Sequence, residues 1–237
     1  MAHRFQPGED RGADAILAIV GITADRSKRR WLKRFLQEHA GLPVFVPPIP
    51  YCLGFRFSSR WLEWYLRSMV LTKGYRRAHV LAYIGGGFLL RFAARRWSFL
   101  RFGRILYDRS PIQEAVAPEI LRRTPRLVLR LTGNASVIDL ASEGVRKLPF
   151  PSTELEQGLV IETEASRLAR RLRLRRESVP ASAWQPETLL PGANAVKELP
   201  LSHDEVYGSE AFLSEALAFL ETGHFLTLAG ESAKFHG

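Results

Sequence analysis

The chain has 237 residues, 46% of them hydrophobic, enough for a sizeable core. Its lone cysteine, Cys52, excludes an internal disulfide, and the sequence has no secretory leader pattern and no charge-free run of about 18 apolar residues. Secretion and a spanning helix are therefore not expected, and a cytoplasmic protein, peripheral to a membrane at most, is. The formal net charge of +10 fits either solvated helix faces or an anionic partner.

Met1 to Gly12 is polar and reads as a flexible arm, which leaves 13–237 as one domain. Ala15 to Val20 is a continuous apolar run suited to a strand buried on both faces. After a turn, Ser27 to His39 places Trp31, Leu32, Phe35 and Leu36 on one helical stripe with Lys and Arg opposite. Leu42 to Val46 is a short strand ended by Pro47, Pro48 and Pro50. A helix opening at Ser58 or Ser59, with that serine pair as its N-cap, presents Trp61, Leu62, Tyr65, Leu66, Met69 and Val70 to the sheet. His79 to Tyr83 reads as the central strand, Phe88 to about Leu100 as the helix behind it, and Arg104 to Tyr107 as the next strand.

Gln157 to Glu162 and Ala195 to Leu199 are further strand candidates, and Ser209 to Glu221 is a last helix stopped by Gly223. Segments 111–150 and 163–192 are the least regular. Short apolar strands alternating with amphipathic helices predict an α/β fold with a mostly parallel central sheet covered on both faces.

Basic residues cluster at Arg26 to Arg34, Arg91 to Arg104 and Arg167 to Arg176. Such runs usually mark solvated helix faces. In the second cluster Trp97, Phe99 and Phe102 interleave with arginine, so Arg95, Arg96 and Arg101 are the surface expected to meet an acidic protein partner or an anionic lipid surface. No nucleic-acid-binding motif occurs and a nucleic-acid partner is not expected. Histidines are scattered, without His-x-His, Cys-x-x-Cys or His-Glu-x-x-His spacing, so neither a metal ion nor a cofactor is expected. The Gly85-Gly86-Gly87 run lacks the Lys-Ser/Thr of a phosphate loop.

The strand ending in Ala82-Tyr83-Ile84-Gly85-Gly86 aligns with a nucleophile elbow, G-x-S-x-G, in which a strained strand-to-helix turn presents a hydroxyl above the sheet. The glycines that allow such a turn are present, but Ile84 stands where the nucleophile belongs. An isoleucine has no proton to lose and no lone pair with which to attack a carbonyl. With this stretch, Ile19-Val20-Gly21-Ile22, Ile105 to Pro111, Leu199 to His203 and Phe219 to Phe225, the chain resembles the α/β-hydrolase superfamily, in its lipase and esterase branch.

The resemblance implies an α/β-hydrolase-like sheet, with backbone donors at Ile22 and Gly85 in the oxyanion-hole positions and His203 as a relic or working base. Val20 replaces the histidine of the family's His-Gly strand end. Glu162, Glu164 and Glu187 are the carboxylates placed to be the acid, and Asp108 either points into the site or pairs with Arg109 at the surface. Asp204 and Glu205 read as solvated loop carboxylates, and His79 as structural or exposed. Losing a triad nucleophile costs on the order of 10⁶ in turnover. The leading expectation is therefore a catalytically inactive hydrolase-like protein that binds a partner protein or a small apolar ligand. Its alternatives are an ester hydrolase with a relocated nucleophile, in which His203 acts on Ser58, Ser59 or a bound water, and a basic peripheral module on anionic membrane or nucleic acid.

Overall fold

The computed structural model describes residues 14–75, 77–95, 97, 99–151 and 155–226. Strands β1 (Asp14–Ile19), β2 (Val44–Phe45), β3 (Arg77–Ala82), β4 (Arg101–Arg109), β5 (Gln157–Glu164) and β6 (Ala195–Ser202) form one sheet in the order β2-β1-β3-β4-β5-β6. Every pairing is parallel. This confirms the mostly parallel sheet and the interior position of the His79 to Tyr83 strand. Parallel strands are buried on both faces, which is why β1 and β3 read as near-continuous apolar runs rather than as alternating ones.

Helices α1 (Arg26–His39), α2 (Phe55–Lys73) and α3 (Ile84–Ala94) follow the first strands. Short helices α4 (Pro111–Glu114), α5 (Val116–Arg123), α6 (Arg126–Leu131), α7 (Ala135–Ala141) and α8 (Glu143–Arg146) fill the connection from β4 to β5. Helices α9 (Arg167–Arg171) and α10 (Pro186–Leu189) lie between β5 and β6, and α11 (Glu210–Thr222) closes the fold. Gly223 ends α11 at φ 83°, a left-handed cap that suits glycine.

Strand alternation divides the core. Leu17 and Ile19 pack with Leu62, Leu66 and Met69 of α2 and with α3, whereas Ile16 and Ala18 pack with Leu32 and Leu36 of α1 and with Phe212, Leu213 and Phe219 of α11. Helix α3 is buried almost all round, from Ile84 to Leu90 and on to Arg91 and Ala93. Its fit depends on Gly86, where a Cβ would lie 1.9 Å from the carbonyl oxygen of Ile19.

Several sequence expectations need correction. Ser58 and Ser59 are not caps: α2 opens at Phe55, whose amide donates to Asp139 Oδ2 at 2.6 Å. Both serines are fully buried, and their hydroxyls donate to the carbonyls of Pro50 and Arg56. Helix α3 ends at Ala94 rather than near Leu100, and β4 starts at Arg101. Of the two roles expected for His79, structural or exposed, the structure has the first: it is buried and accepts from the Arg104 amide at 3.2 Å. The flexible arm assigned to Met1–Gly12 and the surface residue Arg96 lie outside the described residues.

Candidate functional site

The C-terminal ends of four strands converge on one cluster. Asp108 comes from β4, Glu162 from β5 and His203 from the loop just beyond β6, while Ile84 follows β3. Nδ1 of His203 is hydrogen-bonded to Oε1 of Glu162 at 2.9 Å and lies 4.0 Å from Oδ2 of Asp108. Both carboxyls have no solvent exposure, and His203 keeps 13% of its side-chain surface. The structure thus joins the predicted histidine to Glu162, one of the predicted acids. Glu164 is exposed and Glu187 sits in α10.

The Asp108–Arg109 surface pair does not form. Asp108 is buried, and Arg109 instead grips Glu114 with Nε and Nη2 while its Nη1 donates to the Leu189 carbonyl at 2.5 Å. Among the described residues, Oδ1 and Oδ2 of Asp108 and Oε2 of Glu162 have no hydrogen-bond partner. Two adjacent carboxyls away from water cannot both ionise. Burial, then the neighbouring Glu162, pushes Asp108 well above the usual carboxylate range, and burial pushes Glu162 up to about 8. Burial draws His203 down from its ordinary value. At neutral pH burial therefore favours uncharged, protonated carboxyls beneath a neutral imidazole. Asp108, Glu162 and His203 are also the described residues whose ligand atoms lie close enough together to hold a metal ion.

Asp204 and Glu205 keep local roles: Asp204 accepts from the Arg167 amide at 2.6 Å, and Glu205 accepts from the amide and hydroxyl of Ser202.

At the elbow, Ile84 is the first residue of α3 and Tyr83 precedes it in extended conformation, φ −68° and ψ 160°. Among the described residues the only non-glycine with positive φ is Arg173. The strained turn expected from the glycines is thus absent, and the chain passes directly from strand to helix. Ile84 is 6% exposed and belongs to the core on the α2 side of the sheet.

The backbone around the expected oxyanion positions is in place but occupied. A Cβ on Gly85 would lie 3.4 Å from the Ile22 nitrogen, and one on Gly21 would lie 3.8 Å from the Gly85 nitrogen. That same point beside Gly21 is 3.6 Å from Nε2 of His203 and only 2.7 Å from the hydroxyl oxygen of Tyr207. The Gly21 amide donates to this hydroxyl at 3.0 Å, and the Tyr207 ring stacks on Tyr83 with centroids 4.4 Å apart. On the other side, Tyr51 donates to the Val20 carbonyl at 2.6 Å. Tyr207 is 1% exposed. Its phenol therefore fills the space between the histidine and the backbone donors, a feature the sequence reading missed. An aromatic residue four positions after a candidate histidine carries no local signal of where its hydroxyl will go.

Cavities of about 550 and 420 Å³ lie elsewhere, and neither is lined by His203 or Ile84. The larger is walled by Phe88, Pro111, Pro118 and Leu189 with the Arg109–Glu114 pair.

Neither a family model nor a curated protein matches the chain. Solved structures do. The chain is similar to a Bacillus licheniformis lipase in mature form at 13% identity and a TM-score of 0.58, over 92% of this chain and 96% of that one. It is also similar to a Pyrococcus furiosus esterase at 12% identity and a TM-score of 0.55, over 89% of this chain and 80% of that one. A deformylase from Pseudomonas putida S16 matches at 13% identity and a TM-score of 0.53, over 90% of this chain and 94% of that one. Strand order, parallel pairing and these likenesses together give the chain the α/β-hydrolase fold.

Proposed function

We propose that this α/β-hydrolase-fold protein is not an acyl-transfer enzyme at its elbow and acts by binding a small apolar ligand or a partner protein. The observation that carries the reading is the pairing of Ile84 at the nucleophile position with the Tyr207 phenol packed between His203 and the Gly21 amide. The first removes the attacking atom. The second removes the room in which a tetrahedral intermediate would meet backbone donors. The His203–Glu162 bond then serves the fold, tying the loop after β6 to β5.

The test is a panel of short- and long-chain acyl esters with a fluorophosphonate probe. Wild-type protein is expected to show neither turnover nor labelling. Ile84→Ser alone is expected to restore little, because Tyr207 still occupies the pocket. Ile84→Ser with Tyr207→Ala supplies a hydroxyl at the elbow and frees the space beside an imidazole already held by an acid, so weak ester cleavage is expected. Cleavage by the single variant equal to that of the double variant would remove Tyr207 from the account.

A second reading, an ester hydrolase with a relocated nucleophile, is supported by the likeness to an esterase and a lipase and by the intact acid–histidine pair. Ser58 and Ser59 fit it poorly, being buried in α2 with hydroxyls committed to main-chain carbonyls. A water activated by His203 is the version that remains. Wild-type turnover that disappears in His203→Ala would establish it.

A further inference from the structure

The far end of α3 carries a second site, chemically unlike the first. Arg91 is 5% exposed, yet no carboxylate among the described residues bonds to it. Its Nη2 donates to the main-chain carbonyls of Arg146, at 2.9 Å, and Leu148, its guanidinium lies over the Phe150 ring at 4.0 Å, and its Nε is buried without a hydrogen-bond partner among the described residues. The nearby acid Glu114 is already gripped by two guanidinium nitrogens of Arg109. Burial, with Arg109 adding repulsion, pulls Arg91 down to about 10. A guanidinium out of water with only neutral acceptors is costly, and an anion beside it would offset that cost. Arg109, Lys197 and Arg104, by contrast, each have a carboxylate.

Arg91 also lines the cavity of about 420 Å³, which lies within the size range of small-molecule sites. The rest of its wall is mostly apolar, with Ala94, Leu100, Phe102 and Leu155. Trp97 lines it as well, 8% exposed and with its indole N–H unpartnered among the described residues. Arg95, exposed, stands in the same lining. Among the described residues, one buried guanidinium, an indole and no acidic side chain line this mostly apolar space. One buried cation balances one negative charge, which favours a monoanion over a phosphate dianion, and a guanidinium fork matches a carboxylate.

We infer that this cavity binds a hydrophobic monocarboxylate, such as a medium-chain fatty acid, with its carboxylate on Arg91 and Trp97 and its apolar body against Ala94, Leu100, Phe102 and Leu155. The inference is independent of the elbow, because none of these residues belongs to the His203 cluster.

The test is calorimetric titration of the full chain with sodium decanoate and, separately, with decanol. Saturable decanoate binding at least about tenfold tighter than decanol is expected, since charge-assisted hydrogen bonds add that much. Arg91→Gln should lower decanoate affinity about tenfold or more and leave decanol unchanged, Trp97→Phe should cost a few-fold, and Ala94→Leu should block both by filling the cavity. Arg91 also holds the carbonyls of Arg146 and Leu148, so if Arg91→Gln does not fold, Trp97→Phe and Ala94→Leu decide. Absence of decanoate binding, equal affinity for decanol, or binding unaffected by Ala94→Leu would overturn the inference. Esterase assays play no part in this readout, so it stands or falls apart from the reading of the elbow.

Discussion

The two ends of α3 hold opposite arrangements of buried charge. At its N-terminus the excess is carboxyl: Asp108 and Glu162 sit without solvent beneath His203, and the space above them is filled by the Tyr207 phenol. Toward its C-terminus the excess is cationic: Arg91 has no carboxylate partner among the described residues and lines an open cavity. Carboxyls can relieve their own burial by keeping a proton, so a closed site suits them. A guanidinium cannot lose its proton at working pH, so its relief has to come from outside. The contrast locates the closed site and the site with room for a ligand on one helix, about two turns apart.

The largest effect is expected where the first end meets the sheet. Gly86→Ala forces a Cβ to within 1.9 Å of the Ile19 carbonyl oxygen, and neither backbone can give way cheaply. A loss of about 3 kcal/mol or more in denaturant unfolding is expected. Gly85→Ala next to it meets Gly21 and Ile22 only at 3.4 Å and should cost less than about 1 kcal/mol. Equal losses from the two would show that helix propensity, not this close approach, sets the requirement for glycine.

The second effect separates the ends by pH. Glu162 titrates near 8 in the fold against an ordinary 4.5, so between those values the folded state holds a proton that the unfolded state has released. Its contribution to stability is present below 4.5 and is lost as pH rises to 8. His203, drawn down from 6.5 by burial, acts oppositely, because below 6.5 the unfolded state takes up the proton first. From pH 6.5 to 8 the carboxyl effect is no longer opposed by the imidazole, and stability should fall by on the order of 1 to 2 kcal/mol. Glu162→Gln should flatten that fall in thermal melts, whereas Arg91→Lys should leave it intact. A pH profile unchanged by Glu162→Gln would mean that the buried pair does not hold its proton.

Much of this was readable in the sequence, and the failures share a cause. The mostly parallel sheet read from alternation, the Gly223 cap, and Glu162 as one of three candidate acids for His203 all rest on local pattern or on position at a strand end. The Ser58–Ser59 cap failed because the real cap of α2 is Asp139, from a distant helix. Arg91 read as surface because arginine usually is; the apolar residues all around α3 were the signal that any charge on it is buried. Tyr207 was invisible because its role depends on a hydrogen bond to Gly21, which only the tertiary fold supplies.

The smallest effect concerns the exposed rim. Arg95→Gln should move the melting midpoint by no more than about 2 °C, because surface substitutions seldom matter. A larger drop would place Arg95 in an internal ion pair rather than at a binding surface.

The most direct test of the central claim is ester hydrolysis by wild-type protein measured beside Ile84→Ser and Ile84→Ser with Tyr207→Ala. Wild type is expected to show no turnover, the single variant little, and the double variant weak but measurable cleavage that His203→Ala abolishes again. Wild-type turnover that His203→Ala abolishes would contradict it and make the closed end of α3 a working hydrolase.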